Sequence, residues 1–188
     1  PAGLAYVKIS EGCNNRCSYC AIPIIRGQLR SRSLSDIVQE AQGFIYQGLK
    51  ELVIIGQDPA SYGIDLGNDA DLSELIRALD TIPGDYWIRL MYLHPARLTS
   101  GMIKTIAASE HVIPYLDLPV QHISQSILTK MNRHHSEQEL RDRLQELKSA
   151  VPDLVLRTTV MVGFPGESDN DFQSLCDFVK EYEFDWLG

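Results

Sequence analysis

Residues 11–27 read EGCNNRCSYCAIPIIRG, directly after the apolar strand AYVKIS at Ala5–Ser10. Three of the four cysteines, Cys13, Cys17 and Cys20, fall inside that one short loop with the spacing C-x3-C-x2-C. Structural zinc is usually closed by four ligands, two from each of two loops, and no second C-x2-C pair is present. Disulfide pairing leaves an odd thiol, and no secretory leader argues for an oxidising compartment. Three thiolates on one loop can hold three irons of a 4Fe–4S cube and leave the fourth without a protein ligand. Such a cube is open, and a substrate can bind it. A fragment of a zinc site completed elsewhere is the competing reading.

Outward from this loop, strand-like and helix-like segments alternate. Leu34–Gln47 places apolar residues at helical spacing, and Gly48 ends that helix. Glu51–Gly56 (ELVIIG) is a second strand, apolar throughout as buried parallel strands are. Asp71 and Glu74 open a helix as a capping box, and Tyr86–Leu93 (YWIRLMYL) is a third strand. A helix over Thr99–Ala108 precedes a fourth strand, Val112–Leu118, in which Pro114 predicts an irregularity. Ser136 and Glu139 frame another capping box, for a helix to about Ala150. A fifth strand (Leu154–Val162), a helix opened by Ser168 and Asp171, and the start of a sixth strand at Phe184–Gly188 complete the chain. This alternation predicts an α/β fold with parallel strands and right-handed crossovers. The expected product is a curled sheet, a partial (β/α)6 TIM-like barrel. In such sheets functional groups collect at the carboxyl ends of the strands.

The chain of 188 residues fits one domain, with 44% hydrophobic and 22% charged residues. No apolar run reaches the roughly 20 residues of a membrane span. No leader precedes the first strand, and with reduced cysteines the expected location is the cytoplasm. A net charge of −8 disfavours a nucleic-acid platform and leaves room for a basic protein partner.

The loop C-x3-C-x-aromatic-C, with Tyr19 as the aromatic, resembles that of the radical S-adenosylmethionine (SAM) enzymes. The resemblance implies that Cys13, Cys17 and Cys20 ligate the cluster while the amino and carboxylate groups of SAM chelate the open iron. Strand ends then acquire expected roles. Gln57, in GQD where the family often has GGE, binds the SAM amino group. Gln121 and Arg157 meet the ribose hydroxyls and the carboxylate, since an arginine fork suits a carboxylate. Gly163 lets the adenine approach the backbone, with Phe164 as an apolar wall, and Tyr19 packs near the adenine or offers it backbone hydrogen bonds. Plainer readings stand beside these: a loop glutamine for Gln57, a barrel-interior ion pair for Arg157, a tight turn for Gly163, and loop packing for Tyr19. His94 and His122 are candidates for substrate contact or proton handling, or are structural. His134 and His135, in NRHHS, are expected at the surface. Cys176 is expected in the core, and Arg26, Arg30 and Arg32 form a basic patch.

Over essentially the whole chain, EGCNNRCSYCAIPIIRGQLRSRS, IIGQDPASYG, PYLDLPVQH and MVGFPGES are similar to the methylthiotransferases, and PYLDLPVQH and GQDPASYG to their RimO type. That resemblance implies methylthiolation of the β-carbon of an aspartate in a small-subunit ribosomal protein. The alternative is the tRNA-modifying MiaB type, which usually has QS at Gln121–His122 and asparagine at Asp58. It further implies an electron donor such as flavodoxin or ferredoxin. Family members carry an N-terminal domain with a second 4Fe–4S cluster and a C-terminal TRAM-like β-domain, so 1–188 reads as an excised central domain. Other open readings are a single-cluster radical SAM enzyme of another kind and a structural iron–sulfur or zinc scaffold.

Overall fold

A computed structural model describes residues 3–67 and 70–188. The chain starts with β1 (Leu4–Lys8) and then turns away at Ile9, so the expected first strand is split. Ser10, the last residue of that expected strand, joins Glu11 in β2 (Ser10–Glu11), which pairs antiparallel with β3 (Arg30–Ser31) beyond the loop bearing the short helix α1 (Ile22–Ile25). Gly12 makes this turn possible. Its φ is +77°, and a Cβ there would stand 2.2 Å from the Gln28 carbonyl oxygen.

The repeating units follow: α2 (Leu34–Tyr46), β4 (Glu51–Ile55), α3 (Leu72–Asp80), β5 (Trp87–Leu90), α4 (Ser100–Ala108) and β6 (Val112–Asp117). After them come α5 (Gln125–Lys130), α6 (Glu137–Ala150), β7 (Val155–Thr158), α7 (Asp169–Tyr182) and β8 (Trp186–Leu187). The helix starts are capped as their sequences dictate. Ser136 with Glu139, and Ser168 with Asp171, make complete capping boxes. At α3 only half of the expected box forms, with Asp71 accepting from the Glu74 N–H. Gly48, at φ +84°, terminates α2 as predicted. The helix α5 was not expected, because its six residues lie between the fourth strand and a polar turn and show no periodic pattern long enough to read.

All six main strands pair in parallel, in the order β1-β4-β5-β6-β7-β8. Among the described residues β1 and β8 each have one neighbour, so the sheet curls without closing, as a partial TIM-like barrel does. Between β5 and β6, Ile88 pairs with Val112 but Leu90 with Leu116, so the strand carrying Pro114 holds two extra residues. This is the irregularity Pro114 predicted, since proline cannot donate to the ladder.

Register separates the two faces. Val7, Ile54, Leu90, Leu116 and Leu156 lie side by side across five strands and are at most 1% exposed. They form the core with Ile37, Ile76, Ile103 and Leu144 of the helices. Burial of each such side chain stabilises the fold by about 1.5–3 kcal/mol. The other face carries Tyr6, Val53 and Arg89 in one row and Asp117, Arg157 and Trp186 in another. No helix among the described residues is long and apolar enough to cross a membrane.

Candidate functional site

At the carboxyl ends of the strands, Cys13, Cys17 and Cys20 line one cavity of about 240 Å³ together with Tyr19, Gln57, Asp58, Tyr92, His94, Gln121 and Arg133. The structure therefore brings seven sequence-predicted residues together: the three cysteines, Tyr19, Gln57, His94 and Gln121. All four cysteines are free thiols. Burial pushes the Cys13 thiol up, the nearby Asp58 and the other two cysteines adding to the rise, against a lowering hydrogen bond from the Asn15 N–H. Among the described residues no group of three His, Cys, Asp or Glu is set to hold a single metal ion. The three thiols instead surround a space.

The cysteine loop is held by residues far away in sequence. The Ser18 N–H donates to the Met131 carbonyl (3.0 Å), the Ser18 hydroxyl to that of Lys130 (2.8 Å), and the Asn132 amide to that of Arg16 (2.7 Å). Asn132 itself sits at φ +56°. On the other side Asn15 donates to the Asp58 carboxylate (2.7 Å). Asp58 is 2% exposed and also accepts from the Ser61 hydroxyl (2.6 Å) and the His94 N–H (3.3 Å). One carboxylate thus ties the cysteine loop to the ends of β4 and β5. Sequence reasoning missed Asn15, Asp58 as a hub, Asn132 and Arg133. The polar run NRHHS offered no periodicity, and only the pairing with the cysteine loop gives it meaning.

Gln57 lines this cavity, and its Oε1 is buried without a hydrogen-bond partner among the described residues. A buried acceptor left unmade costs about 1–3 kcal/mol, so its position calls for a donor from a ligand. Gln121 has φ +68° and is held there by its own N–H to the Thr159 carbonyl and its carbonyl to the Met161 N–H (both 2.8 Å). Tyr92, also lining the cavity, has φ +58°. Such backbone outliers concentrate where a site needs a particular geometry.

Arg157 does not line this cavity. Its guanidinium donates to Asp117 (2.5 Å) within the barrel, the plainer of its two sequence readings. Gly163 and Phe164 line a separate open cleft of about 490 Å³. Gly163 has φ +74° and no atom within 4 Å of where a Cβ would stand. That loop is fixed by Glu167, which accepts from the Gly163 N–H and, at 3.0 Å, from the Phe164 N–H. His122, fully buried, stands behind it. Its Nδ1 accepts from the Ser124 N–H (3.0 Å), which leaves Nε2 to donate to Glu167 (3.3 Å). His122 is therefore a satisfied structural histidine.

Two other expectations need correction, while His94, a candidate for substrate contact or proton handling, lines the cavity. Burial first, then the Arg133 charge, pushes its pKa down to about 2, and its Nδ1 accepts from the Ala96 N–H (3.2 Å). His135 is 6% exposed rather than at the surface, packed edge-on against His94 with ring centroids 6.0 Å apart, and burial lowers its pKa to about 4. His134 is exposed as expected. Cys176 is half-buried and outside the core, because Phe172, one turn earlier, is 46% exposed. The basic patch is partly neutralised: Arg32 pairs with Glu40 (2.5 Å) and Arg26 lies 3.7 Å from Glu11.

Comparison with known proteins agrees with the fold. Over all 188 residues the chain is 50% identical to the ribosomal protein uS12 methylthiotransferase RimO of Syntrophomonas wolfei, covering 43% of that protein. It is 50% identical over 187 residues to the protein of the same name from Acetivibrio thermocellus, covering 41% of it. The chain thus spans under half the length of these curated relatives. Its fold matches that of TsrM from Kitasatospora setae, a radical S-adenosylmethionine methyltransferase solved with cobalamin and a [4Fe-4S] cluster bound. The TM-score is 0.80 at 18% identity, over 100% of this chain and 36% of that one. It also matches coproporphyrinogen III oxidase (HemN) from Escherichia coli, at TM-score 0.68 and 18% identity, over 99% of this chain and 43% of that one. The profile of the radical SAM superfamily matches residues 7–179, so the chain belongs to that superfamily.

Proposed function

We propose that this chain is the radical SAM domain of a methylthiotransferase. In this reading it holds a 4Fe–4S cluster through Cys13, Cys17 and Cys20 and binds SAM beside it. The longer protein would methylthiolate the β-carbon of an aspartate in a small-subunit ribosomal protein. One observation carries the cofactor reading: three cysteines line the same cavity as Gln57, whose buried Oε1 has no partner among the described residues. Thiolates suit iron, and a lone acceptor suits the amino group of SAM. Bound together there, the two groups would supply one-electron cleavage of SAM to a 5′-deoxyadenosyl radical that takes a hydrogen atom from an unactivated carbon.

The residues of the chain bind and orient. Gln57 accepts from the amino group. Gln121, held in its left-handed conformation, offers its amide to the ribose, and Tyr19 packs near the adenine. Thr159 and Met161, paired to the Gln121 backbone, lead into Gly163 and Phe164, whose cleft would take the adenine. Arg157 would reach the SAM carboxylate only by leaving Asp117. The names of the 50% identical relatives support a ribosomal protein rather than a tRNA as substrate. A second cluster on an N-terminal methylthiotransferase domain, a TRAM-like C-terminal domain, a flavodoxin or ferredoxin as electron donor, and a cytoplasmic setting complete the proposal for the longer protein.

The test is anaerobic. The chain is reconstituted with iron and sulfide, reduced, and given SAM, and 5′-deoxyadenosine is assayed. We expect production that Cys17→Ala abolishes, and no methylthiolated product from this piece by itself. A bound cluster whose spectrum does not change with SAM, and no 5′-deoxyadenosine, would overturn the reading in favour of a structural cluster.

A further inference from the structure

We propose that His122 is a positioning residue for SAM: through Glu167 it fixes the Gly163–Phe164 loop against Gln121, so that the adenine cleft and the ribose contact are held as one unit. The proposal rests on the SAM reading above. The side chains of His122 and Glu167 are 0% and 5% exposed. The His122 Nδ1 accepts from the Ser124 N–H (3.0 Å), and this decides the tautomer, because an imidazole that accepts at one nitrogen carries its proton on the other. The Nε2 proton is donated to the Glu167 Oε1 (3.3 Å). Glu167 uses its second oxygen for the N–H groups of Gly163 and, at 3.0 Å, Phe164. Every link from the imidazole to the loop is therefore a hydrogen bond.

The residue before His122 ties the same stretch a second time. Gln121 donates its N–H to the Thr159 carbonyl and accepts at its own carbonyl from the Met161 N–H, both at 2.8 Å. A two-residue turn thus sets the register of the strand end, 159–161, and of the loop beyond it, 163–167. His122 lines neither the cysteine cavity nor the cleft, so it acts on SAM only through Glu167 and Gln121.

Packing does not locate this loop. Its cleft is open, Val162 is 57% exposed, and nothing lies within 4 Å of where a Gly163 Cβ would stand. Directional bonds must place it instead. The other hold is the exposed Lys130, whose Nζ donates to the Gly166 carbonyl (2.9 Å). A long exposed side chain loses much rotamer freedom in making such a bond, and a buried ring loses little. Removing the His122 bonds should therefore loosen the loop without undoing it. A loop already in place spares SAM the cost of ordering it, so loosening appears as weaker binding.

The test reads loop and ligand separately. His122→Phe keeps a ring but can neither donate nor accept. In the chain without a cluster, amide hydrogen exchange at Gly163 and Phe164 should quicken about tenfold, while the amides of the β1–β4 ladder keep wild-type rates. In the reconstituted chain, at wild-type iron content, the Kd values of SAM and of 5′-deoxyadenosine should both rise about tenfold. His122→Gln, whose amide can still donate to Glu167, should recover much of both effects. A lower Tm with exchange and both Kd values unmoved would make His122 a support of the fold alone and overturn the proposal. Faster exchange with unmoved Kd values would also overturn it, since the loop would then be fixed to no purpose for SAM. If His122→Phe fails to fold, Glu167→Gln decides. Its amide must meet a donor with a donor, at His122 or at the loop, and unmoved exchange and Kd values there overturn the proposal too. An unmodified chain that binds a cluster but no SAM would sink the SAM reading itself, and the proposal with it.

Discussion

The two faces of the sheet are built by different rules. On the helix side, Val7, Ile54, Leu90, Leu116 and Leu156 form one continuous apolar row that water does not reach. On the other side the sheet carries Tyr6 at 64% exposure, Trp186 at 64%, and the charged pairs Arg89–Glu51 and Arg157–Asp117. Above that side sits the cysteine cavity, held by hydrogen bonds between residues more than a hundred positions apart, as from Ser18 to Lys130 and from Asn132 to Arg16. The helix side stabilises by area removed from water, which is insensitive to fine geometry. The rim places groups by directional bonds, each individually modest. Damage to the first should therefore unfold the chain, and damage to the second should misplace ligands in a chain that still folds.

The largest expected effect is on the helix side. Leu90→Ala empties a fully buried site between Ile54 and Leu116 and should cost about 2–5 kcal/mol in urea unfolding. Asp58→Ala at the rim should cost less, about 1–3 kcal/mol, by stranding the donors of Asn15, Ser61 and His94. Its effect on iron retention after reconstitution should be the greater of the two at matched folded fraction. The comparison breaks if Leu90→Ala loses iron more readily than Asp58→Ala among molecules that remain folded.

That difference also explains what the sequence made legible. The helix side follows periodicity and capping, which are local, so Leu34–Tyr46 and Glu137–Ala150 are readable within a residue or two. The cysteines are readable because their spacing is itself the chemistry. The supporting rim is not readable. Arg133 and His135 sit in a polar run that looks solvated, yet Arg133 is buried with its guanidinium on Tyr19 and Pro119, and His135 is buried against the His94 ring. Arg157 stood out as a charge in an apolar strand, but its partner Asp117 lies on the neighbouring strand 40 residues earlier, and only register brings the two together.

The Arg157–Asp117 pair sharpens the comparison through pH. Burial raises the pKa of Asp117 above the ordinary aspartate value of 3.8, and the Arg157 charge and hydrogen bond pull it back down. A carboxyl raised in the folded state binds protons more tightly there than when unfolded, so its contribution to stability is lost as pH rises through that window. Arg157→Met removes the opposing pull and widens the window. Wild type and variant should have similar urea midpoints near pH 3.8, and the variant should fall progressively behind as pH rises above it. We expect the loss at neutral pH to be smaller than that of Asp58→Ala, because the Arg157 side chain is 34% exposed and partly screened. A gap between the two midpoints that does not change with pH would mean the side opposite the helices holds by packing, like the helix side.

The smallest effect probes whether the two regions are coupled at all. Ser136 caps α6 with its hydroxyl accepting from the Glu139 N–H (3.2 Å), while the Glu139 carboxylate accepts from the Ser136 N–H (2.7 Å). Ser136→Ala should cost about 1 kcal/mol, a fall in Tm of about 2–4 °C for a chain of this size. Yet Ser136 directly follows His135, and the turn carrying Asn132 and Arg133 ends where that cap begins. If the rim is fixed by its own hydrogen bonds to the cysteine loop, the variant should keep wild-type iron content and wild-type 5′-deoxyadenosine yield while losing only thermal stability. If iron retention drops with it, the helix start is what fixes Arg133, and the rim borrows its geometry from the apolar layer through Leu140 and Leu144 of the same helix.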